Sequence, residues 1–213
     1  MDFSQSLTML LLTASLLLII TRHLARAVHL LTLQSLALAA LAAFWGYSFA
    51  NHELYWAAVL TVVVKGLVTP WVLLRLLKAI KVKKEMEMAL PMRLNLILAL
   101  LLILVAYRVA IPLKALATLP VPHSLPVAIA MIMLGLLLMI TRKKALTQII
   151  GLITMENGLY LSAITATGGM PLVVELGIFF DLLVGVILLG IFAYRINQTF
   201  DTLNTDTLQS LKG

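Results

Sequence analysis

The feature that most constrains the fold is a series of long apolar stretches separated by short connections. Seven can be drawn, at residues 3–21, 27–50, 54–78, 93–110, 124–141, 145–167 and 171–195. Each is close to the roughly 20 apolar residues that a membrane-spanning helix needs. Of all residues 62% are hydrophobic and 12% are charged, whereas soluble domains are about half apolar and about 25% charged. The sequence therefore predicts an all-α, polytopic membrane helix bundle with about seven transmembrane helices.

The residue types that hold redox centres and metals are missing or scattered. There is no cysteine, which leaves no thiolate for an iron–sulfur cluster and no haem attachment motif. The four histidines, at 23, 29, 52 and 123, include no i, i+4 pair. We therefore predict no catalytic residue, metal site or bound cofactor in this chain, and expect any redox centre in partner subunits.

Positive charges alternate between the connections. Lys and Arg cluster at 22–26, 75–93 and 142–144, whereas the connections at 51–53 and 168–171 carry none. Basic residues favour the cytoplasmic side, so this alternation predicts an N-out, C-in topology with an odd number of spans. The net charge of +7 is thus interpreted as a topology signal in contact with the bilayer, and no nucleic-acid partner is predicted.

A proline-rich stretch divides the chain. IPLKALATLPVPHSLP, residues 111–126, contains four prolines. We predict a four-helix module over 1–111, a connection over 112–126, a three-helix module over 127–196 and a polar inner-side tail over 197–213. The positive charge of the first span lies on its C-terminal side, which favours a retained anchor over a cleavable signal peptide.

Three ionisable residues lie deep inside apolar stretches. Glu156, Asp181 and Lys65 are each ten or eleven residues from a predicted helix start. At about 1.5 Å per residue they lie about 15–16 Å deep, near the middle of a core about 30 Å thick. Intramembrane charges mark ion pathways by default. The sequence therefore predicts a proton or ion pathway through these residues, with Glu175 leading towards the outer surface.

Structural interpretations of the same residues remain open. Glu156 is alternatively a hydrogen-bonding group tied to a neighbouring helix, and Asp181 a simple ion-pair partner for Lys65. Glu175 is alternatively a snorkelling residue near a helix end. Three residues follow Glu156 or Asp181: Asn157, Gly158 and Gly185. They favour close packing between helices or a hydrated break in the helix.

Four motifs cover the last three predicted spans. These are the basic loop TRKKAL (141–146), the pattern IGLxxxxN ending at Asn157, the pair Asp181 and Gly185, and the tail LNxDxLxxxKG (203–213). In them the region resembles subunit K of the bacterial NADH:quinone oxidoreductase (complex I) and the C subunit of multisubunit cation/proton antiporters. Those relatives carry glutamate directly after IGL, where this chain has Ile153. Glu156 stands three residues later, displaced by about 4.5 Å on nearly the same helix face.

Further motifs extend over the whole chain. They are QSL (34–36), KGLVTP (65–70), MENG (155–158), VELGIFFD (174–181) and the closing LKG (211–213). Their order resembles component E of hydrogenase-4 and formate hydrogenlyase complexes.

The resemblance implies a non-catalytic membrane-arm subunit of a group 4 nickel–iron hydrogenase in the cytoplasmic membrane of a prokaryote. It implies antiporter-like and quinone-oxidoreductase-like partner subunits, with the nickel–iron and iron–sulfur centres in other subunits. It also implies coupling of electron transfer to proton or sodium movement. A subunit of a cation/proton antiporter and a purely structural membrane anchor are the alternatives.

Overall fold

The structure, a computed structural model, describes residues 3–79, 88–113 and 123–167, together with residues 183, 185–187 and 190. Apart from isolated bridge residues, among them the pair Met88 and Arg142, the described regular structure is helical. The helices are α1 (Phe3–Ile20), α2 (Leu24–Ser48), α3 (His52–Thr61), α4 (Thr69–Ala79), α5 (Met92–Leu113), α6 (Ser124–Thr141) and α7 (Ala145–Thr167). A π-helical segment, Val62–Val68, joins α3 to α4 without a break.

Six helical units among the described residues are long and apolar enough to cross a membrane. They are α1, α2, the continuous unit His52–Arg75, α5, α6 and most of α7. The predicted all-α, multi-pass membrane protein is therefore confirmed. The seventh predicted span, 171–195, lies mostly outside the described residues. That span and the N-out, C-in orientation stay predictions.

Two helices extend into the predicted proline-rich connection. Helix α5 continues to Leu113 and so includes Pro112, and α6 already begins at Ser124. Pro126 fits the first turn of α6 because the first four N–H groups of a helix have no intrahelical partner, so the missing N–H of proline costs nothing there. The apolar stretch predicted at 124–141 coincides with α6, whereas α5 extends three residues beyond the stretch predicted at 93–110.

Three basic connections meet at one end of the bundle. Arg142, which follows α6, donates through Nη2 to the carbonyl oxygen of Ile19 at 2.6 Å, at the end of α1. Arg22 lies 3.6 Å from the sulfur of Met92 at the start of α5. The backbone N–H of Ala89 donates to the carbonyl of Thr141 at 2.8 Å. These contacts place the connections after α1, α4 and α6 on the same side of the membrane, as their shared basic character predicts.

Helices α6 and α7 pack unusually closely along a seam of small residues. A Cβ atom built on Gly135 would lie 2.5 Å from the backbone nitrogen of Met155 and 2.7 Å from the carbonyl oxygen of Gly151. A Cβ on Gly158 would lie 2.8 Å from the carbonyl oxygen of Ala128. Small residues allow such backbone contact between membrane helices. The seam therefore fixes the position of α7, which carries two of the buried polar residues described below.

Adding a side chain to this seam is expected to separate the two helices. In Gly135→Val the new atoms meet backbone, which cannot rotate away, so we expect a loss of about 1–3 kcal/mol or more in free energy of unfolding. The matched control is Leu136→Val on the same helix, because Leu136 is 43% exposed and points away from the seam. Denaturation of the purified protein in detergent measures both. Equal stability of the two variants would contradict the close contact.

Candidate functional site

A layer of polar side chains separates two apolar clusters in the bundle. Three helices contribute to both clusters, and on each helix one residue from each cluster flanks the layer: Leu11 and Leu18 on α1, Leu38 and Leu31 on α2, and Leu161 and Ile153 on α7. Buried polar side chains lie between the members of each pair: Ser15, Gln34, and Glu156 with Asn157. The polar residues thus share one level, about halfway along the bundle.

The centre of this layer is an ion pair between Lys65 and Glu156. Lys65 Nζ lies 2.5 Å from Glu156 Oε1, and each residue is only 4% exposed. This is the one ion pair within the part of the chain that the structure describes. The Lys65 ammonium also lies 5.5 Å from the centre of the Tyr160 ring, within the range of a cation–π contact. Two of the three charges predicted at the midplane are therefore in direct contact.

Lys65 lies within the π-helical segment. Within that segment Lys65 and Gly66 are buried, whereas Val63 is 46% and Leu67 62% exposed. The sequence predicts an ordinary span here and gives no warning of the wider turn. Three consecutive valines, 62–64, raise the cost of regular helix because β-branched side chains crowd the preceding turn. Wide turns of this kind are frequent at functional sites.

A chain of hydrogen bonds leads away from the ion pair. Lys65 Nζ donates to Asn157 Oδ1 at 3.3 Å, and Asn157 Nδ2 donates to Gln34 Oε1 at 3.3 Å. Gln34 Nε2 then donates to Ser15 Oγ at 2.8 Å, and the Ser15 hydroxyl donates to the carbonyl of Leu11 at 2.8 Å. The chain thus crosses from the π-helical segment through α7 and α2 to α1.

The direction of this chain follows from the chemistry of lysine. An ammonium group can only donate, so the oxygen of Asn157 must face Lys65 and its nitrogen must face Gln34. Gln34 is oriented in turn, with its nitrogen towards Ser15. Every amide dipole in the chain therefore presents its negative end towards the Lys65 charge. The arrangement stabilises a positive charge at Lys65 in addition to the Glu156 carboxylate.

A small cavity adjoins the ion pair. Its volume is about 10 Å³, close to the space that one water molecule needs. The lining residues are Val64, Lys65, Thr69, Ile153, Glu156, Leu183 and Val186. The last two come from the predicted final span, which therefore reaches the site. Ile153, where the resembling families carry their glutamate, lines the same cavity as Glu156, as the predicted shared helix face requires.

The other predicted site residues are placed as follows. Asn157 is fully buried in the hydrogen-bond chain, and Gly158 lies in the α6–α7 seam, where α7 continues without a break. Gly185 has helical backbone, and no described atom lies within 4 Å of a Cβ built there. Asp181 and Glu175 lie outside the described residues, so their part in the site stays a prediction.

Sequence reasoning missed two features of the site. The first is the pair Gln34 and Ser15, which are buried. Both are polar residues within apolar spans, and polar side chains in such spans indicate hydrogen bonds between helices. Arg142 was interpreted as a topology signal and as part of the basic loop TRKKAL, yet it is 2% exposed and caps the end of α1. Burial lowers the pKa of the Arg142 guanidinium, but its reference pKa is far enough above neutral for it to stay charged.

Comparisons with known proteins cover the region of Glu156 and Asn157 and the region of Lys65 and Gln34. The family profile described as NADH-ubiquinone/plastoquinone oxidoreductase chain 4L matches residues 123–213, which include Glu156 and Asn157. The uncharacterized protein Rv0085 of Mycobacterium tuberculosis is 30% identical over 203 residues, covering 95% of this chain and 92% of that protein. That similarity extends over the region of Lys65 and Gln34.

A shorter match connects the chain to a hydrogenase component. Hydrogenase-4 component E of Escherichia coli is 37% identical over 81 residues, which is 38% of this chain and 38% of that protein. The same extent and identity are found with hydrogenase-4 component E of Shigella flexneri. No solved structure matches the chain.

These matches confirm the resemblances to chain 4L, the subunit K type of complex I, and to hydrogenase-4 component E. Because the match to Rv0085 runs over nearly the full length of both proteins, the chain belongs to the same family of multi-pass membrane proteins as Rv0085.

Proposed function

We propose that the chain is a non-catalytic membrane subunit of a complex I-like hydrogenase, in which the Lys65–Glu156 pair forms part of a proton or sodium pathway. The observation that carries the pathway is the pair itself, buried at mid-height between two apolar clusters. The similarity to chain 4L and to hydrogenase-4 component E supports the membership of such a complex.

The chemistry of the pair suits a coupled ion step. Both groups are out of solvent, so each balances the charge of the other. A proton or a sodium ion arriving at Glu156 neutralises the carboxylate and leaves the Lys65 ammonium as an uncompensated buried charge, which is unfavourable by several kcal/mol. Uptake at Glu156 is therefore linked to displacement or loss of positive charge at Lys65. A group with this linkage can take up an ion and pass its charge on.

The amide chain has a different part in this proposal. Asn157 and Gln34 do not titrate in the physiological range, so neither is a proton carrier. Their oriented dipoles position the Lys65 ammonium beside Glu156 before an ion arrives. The carriers are then Glu156, Lys65 and water in the adjoining cavity.

The continuation of the pathway is proposed through the last span. Leu183 and Val186 line the cavity beside the ion pair, and Asp181 and Glu175 belong to the same predicted span. We propose Asp181 as the next carrier and Glu175 as the outer end of the pathway.

The surroundings of the subunit are proposed on the same grounds. Antiporter-like and quinone-oxidoreductase-like membrane subunits are the proposed partners, and nickel–iron and iron–sulfur centres are proposed in partner subunits. The proposed location is the cytoplasmic membrane of a prokaryote, and a formate hydrogenlyase or hydrogenase-4 type of complex is the proposed context.

The composition of the native complex tests this assignment. We expect an affinity tag on this chain to co-purify membrane subunits together with subunits that contain nickel and iron, measured by mass spectrometry and metal analysis. An untagged strain is the control. Co-purification of antiporter subunits without nickel or iron would assign the chain to a cation/proton antiporter instead. Recovery of the chain without other subunits would contradict both assignments.

A further inference from the structure

An open groove lies away from the ion pair, where α1 ends and α2 begins. Its volume is about 630 Å³, within the range of small-molecule sites, about 300–1,000 Å³. It is lined by Leu17, Ile20, Thr21, Arg22, His23, Arg26, His29, Leu30 and Leu33. The proposed ion pathway uses none of these residues.

The groove is polar at one end and apolar at the other. Arg22, His23 and Arg26 are exposed around the connection between the helices. Further from the connection, Leu17 on α1 and Leu33 on α2, each 40% exposed, line the walls. From Arg26 to Leu33 the groove therefore extends about 10 Å along the helix axis towards the membrane interior.

Within the described part of the chain, the groove is rich in positive charge. Among the residues that the structure describes, no carboxylate forms an ion pair with Arg22 or Arg26. The neighbouring side chains His23 and His29 add further N–H donors. The polar end thus presents two permanent positive charges and imidazole donors to an anion.

The groove is also held in shape by the rest of the bundle. Arg142 from α6 is buried and donates to the carbonyl oxygens of Leu18, Ile19 and Thr21 at 3.3, 2.6 and 3.4 Å. Thr21 itself lines the groove. The turn that carries the two arginines is therefore fixed before any ligand binds, which lowers the entropic cost of binding.

We infer that this groove binds an anionic phospholipid, with the phosphate between Arg22 and Arg26 and an acyl chain along Leu17 and Leu33. A soluble phosphate compound would leave the apolar half of the groove empty. A zwitterionic lipid carries no net negative charge to balance the two positive charges of the arginines. Basic pockets between membrane helices recognise anionic head groups by this combination. The inference goes beyond the proposed ion pathway and does not depend on it.

Lipid retention by the intact complex tests the inference. The complex containing this full-length chain is incorporated into phosphatidylcholine vesicles with a minor fraction of phosphatidylglycerol, then extracted and analysed by native mass spectrometry. We expect retained phosphatidylglycerol in the wild type and about a five-fold loss of affinity for each of Arg22→Gln and Arg26→Gln, since each basic residue near the surface contributes about 1 kcal/mol. Arg75→Gln is the matched control, because Arg75 is an exposed arginine outside the groove.

A second variant separates a lipid from other occupants. Leu17→Trp fills the apolar half without changing charge, so we expect it to reduce lipid retention as well. Equal retention in Arg75→Gln and Arg26→Gln would overturn the inference in favour of general surface attraction. Unchanged retention in Leu17→Trp, with competition by inorganic phosphate, would overturn it in favour of a free anion. A photo-crosslinker at His29 that reacts only with another subunit would overturn it in favour of a protein contact.

Discussion

In the proposed hydrogenase complex, replacing Glu156 by glutamine is expected to reduce ion movement per hydrogen evolved by on the order of tenfold or more, while the complex still assembles. The amide keeps the size of the carboxylic acid and accepts a hydrogen bond from Lys65, but it cannot take up a proton or balance a cation. The measurement is proton or sodium uptake in vesicles at a matched rate of hydrogen evolution. Hydrogen evolution itself is expected to persist or slow.

Two controls make this result specific to the buried carboxylate. Glu53→Gln changes an exposed glutamate at the start of α3 and is expected to leave coupling unchanged. Glu156→Asp keeps the chemistry and loses only reach, so part of the coupling is expected to remain. Normal coupling in Glu156→Gln would make this carboxylate a structural group and shift the proposed pathway to Asp181.

Moving the acid by one turn is a stronger form of the same test. Ile153 is 2% exposed and lines the same cavity as Lys65 and Glu156. The double variant Ile153→Glu/Glu156→Gln is therefore expected to restore part of the coupling, because the new carboxylate enters the space beside the Lys65 ammonium. No recovery in a variant that assembles normally would mean that a carboxylate in this cavity is insufficient.

Removing the lysine is expected to have the largest effect on stability. Lys65→Met leaves Glu156 as a charge that is 4% exposed and has lost its ion-pair partner. Breaking a buried pair in this way costs about 3–5 kcal/mol, whereas removing both charges is close to neutral. We therefore expect Lys65→Met to be strongly destabilised and Lys65→Met/Glu156→Gln to recover most of the loss.

The comparison is made by denaturation of the purified protein in detergent, with free energies of unfolding from the transitions. Lys143→Met is the matched control, since Lys143 is exposed after α6 and its loss is expected to change little. A Lys65→Met variant as stable as the control would show that Glu156 does not depend on Lys65. A double variant no better than the single one would show that packing at Lys65, and not charge, accounts for the loss.

Local properties of the chain were predictable from its sequence. The membrane class follows from apolar stretches of spanning length, because any such segment must satisfy its backbone internally as a helix. The mid-height position of Lys65 and Glu156 follows from counting residues from helix ends, because helix rise is nearly constant. Charge in the connections likewise predicted which helix ends lie together.

Partner choice within the polar layer depended on the tertiary structure. Residue counting placed Lys65, Glu156 and Asp181 at the same depth, and the structure brings Lys65 and Glu156 into contact. Its second partner, Asn157, is 92 residues away, and the link from Asn157 to Gln34 spans 123 residues. Depth depends on each helix alone, whereas contact depends on how the helices are arranged and rotated against one another. Here that arrangement rests on the close α6–α7 seam, where the sequence had indicated close packing only at Gly158 and only as one alternative. It also rests on a π-helical turn at Lys65, which the sequence did not predict.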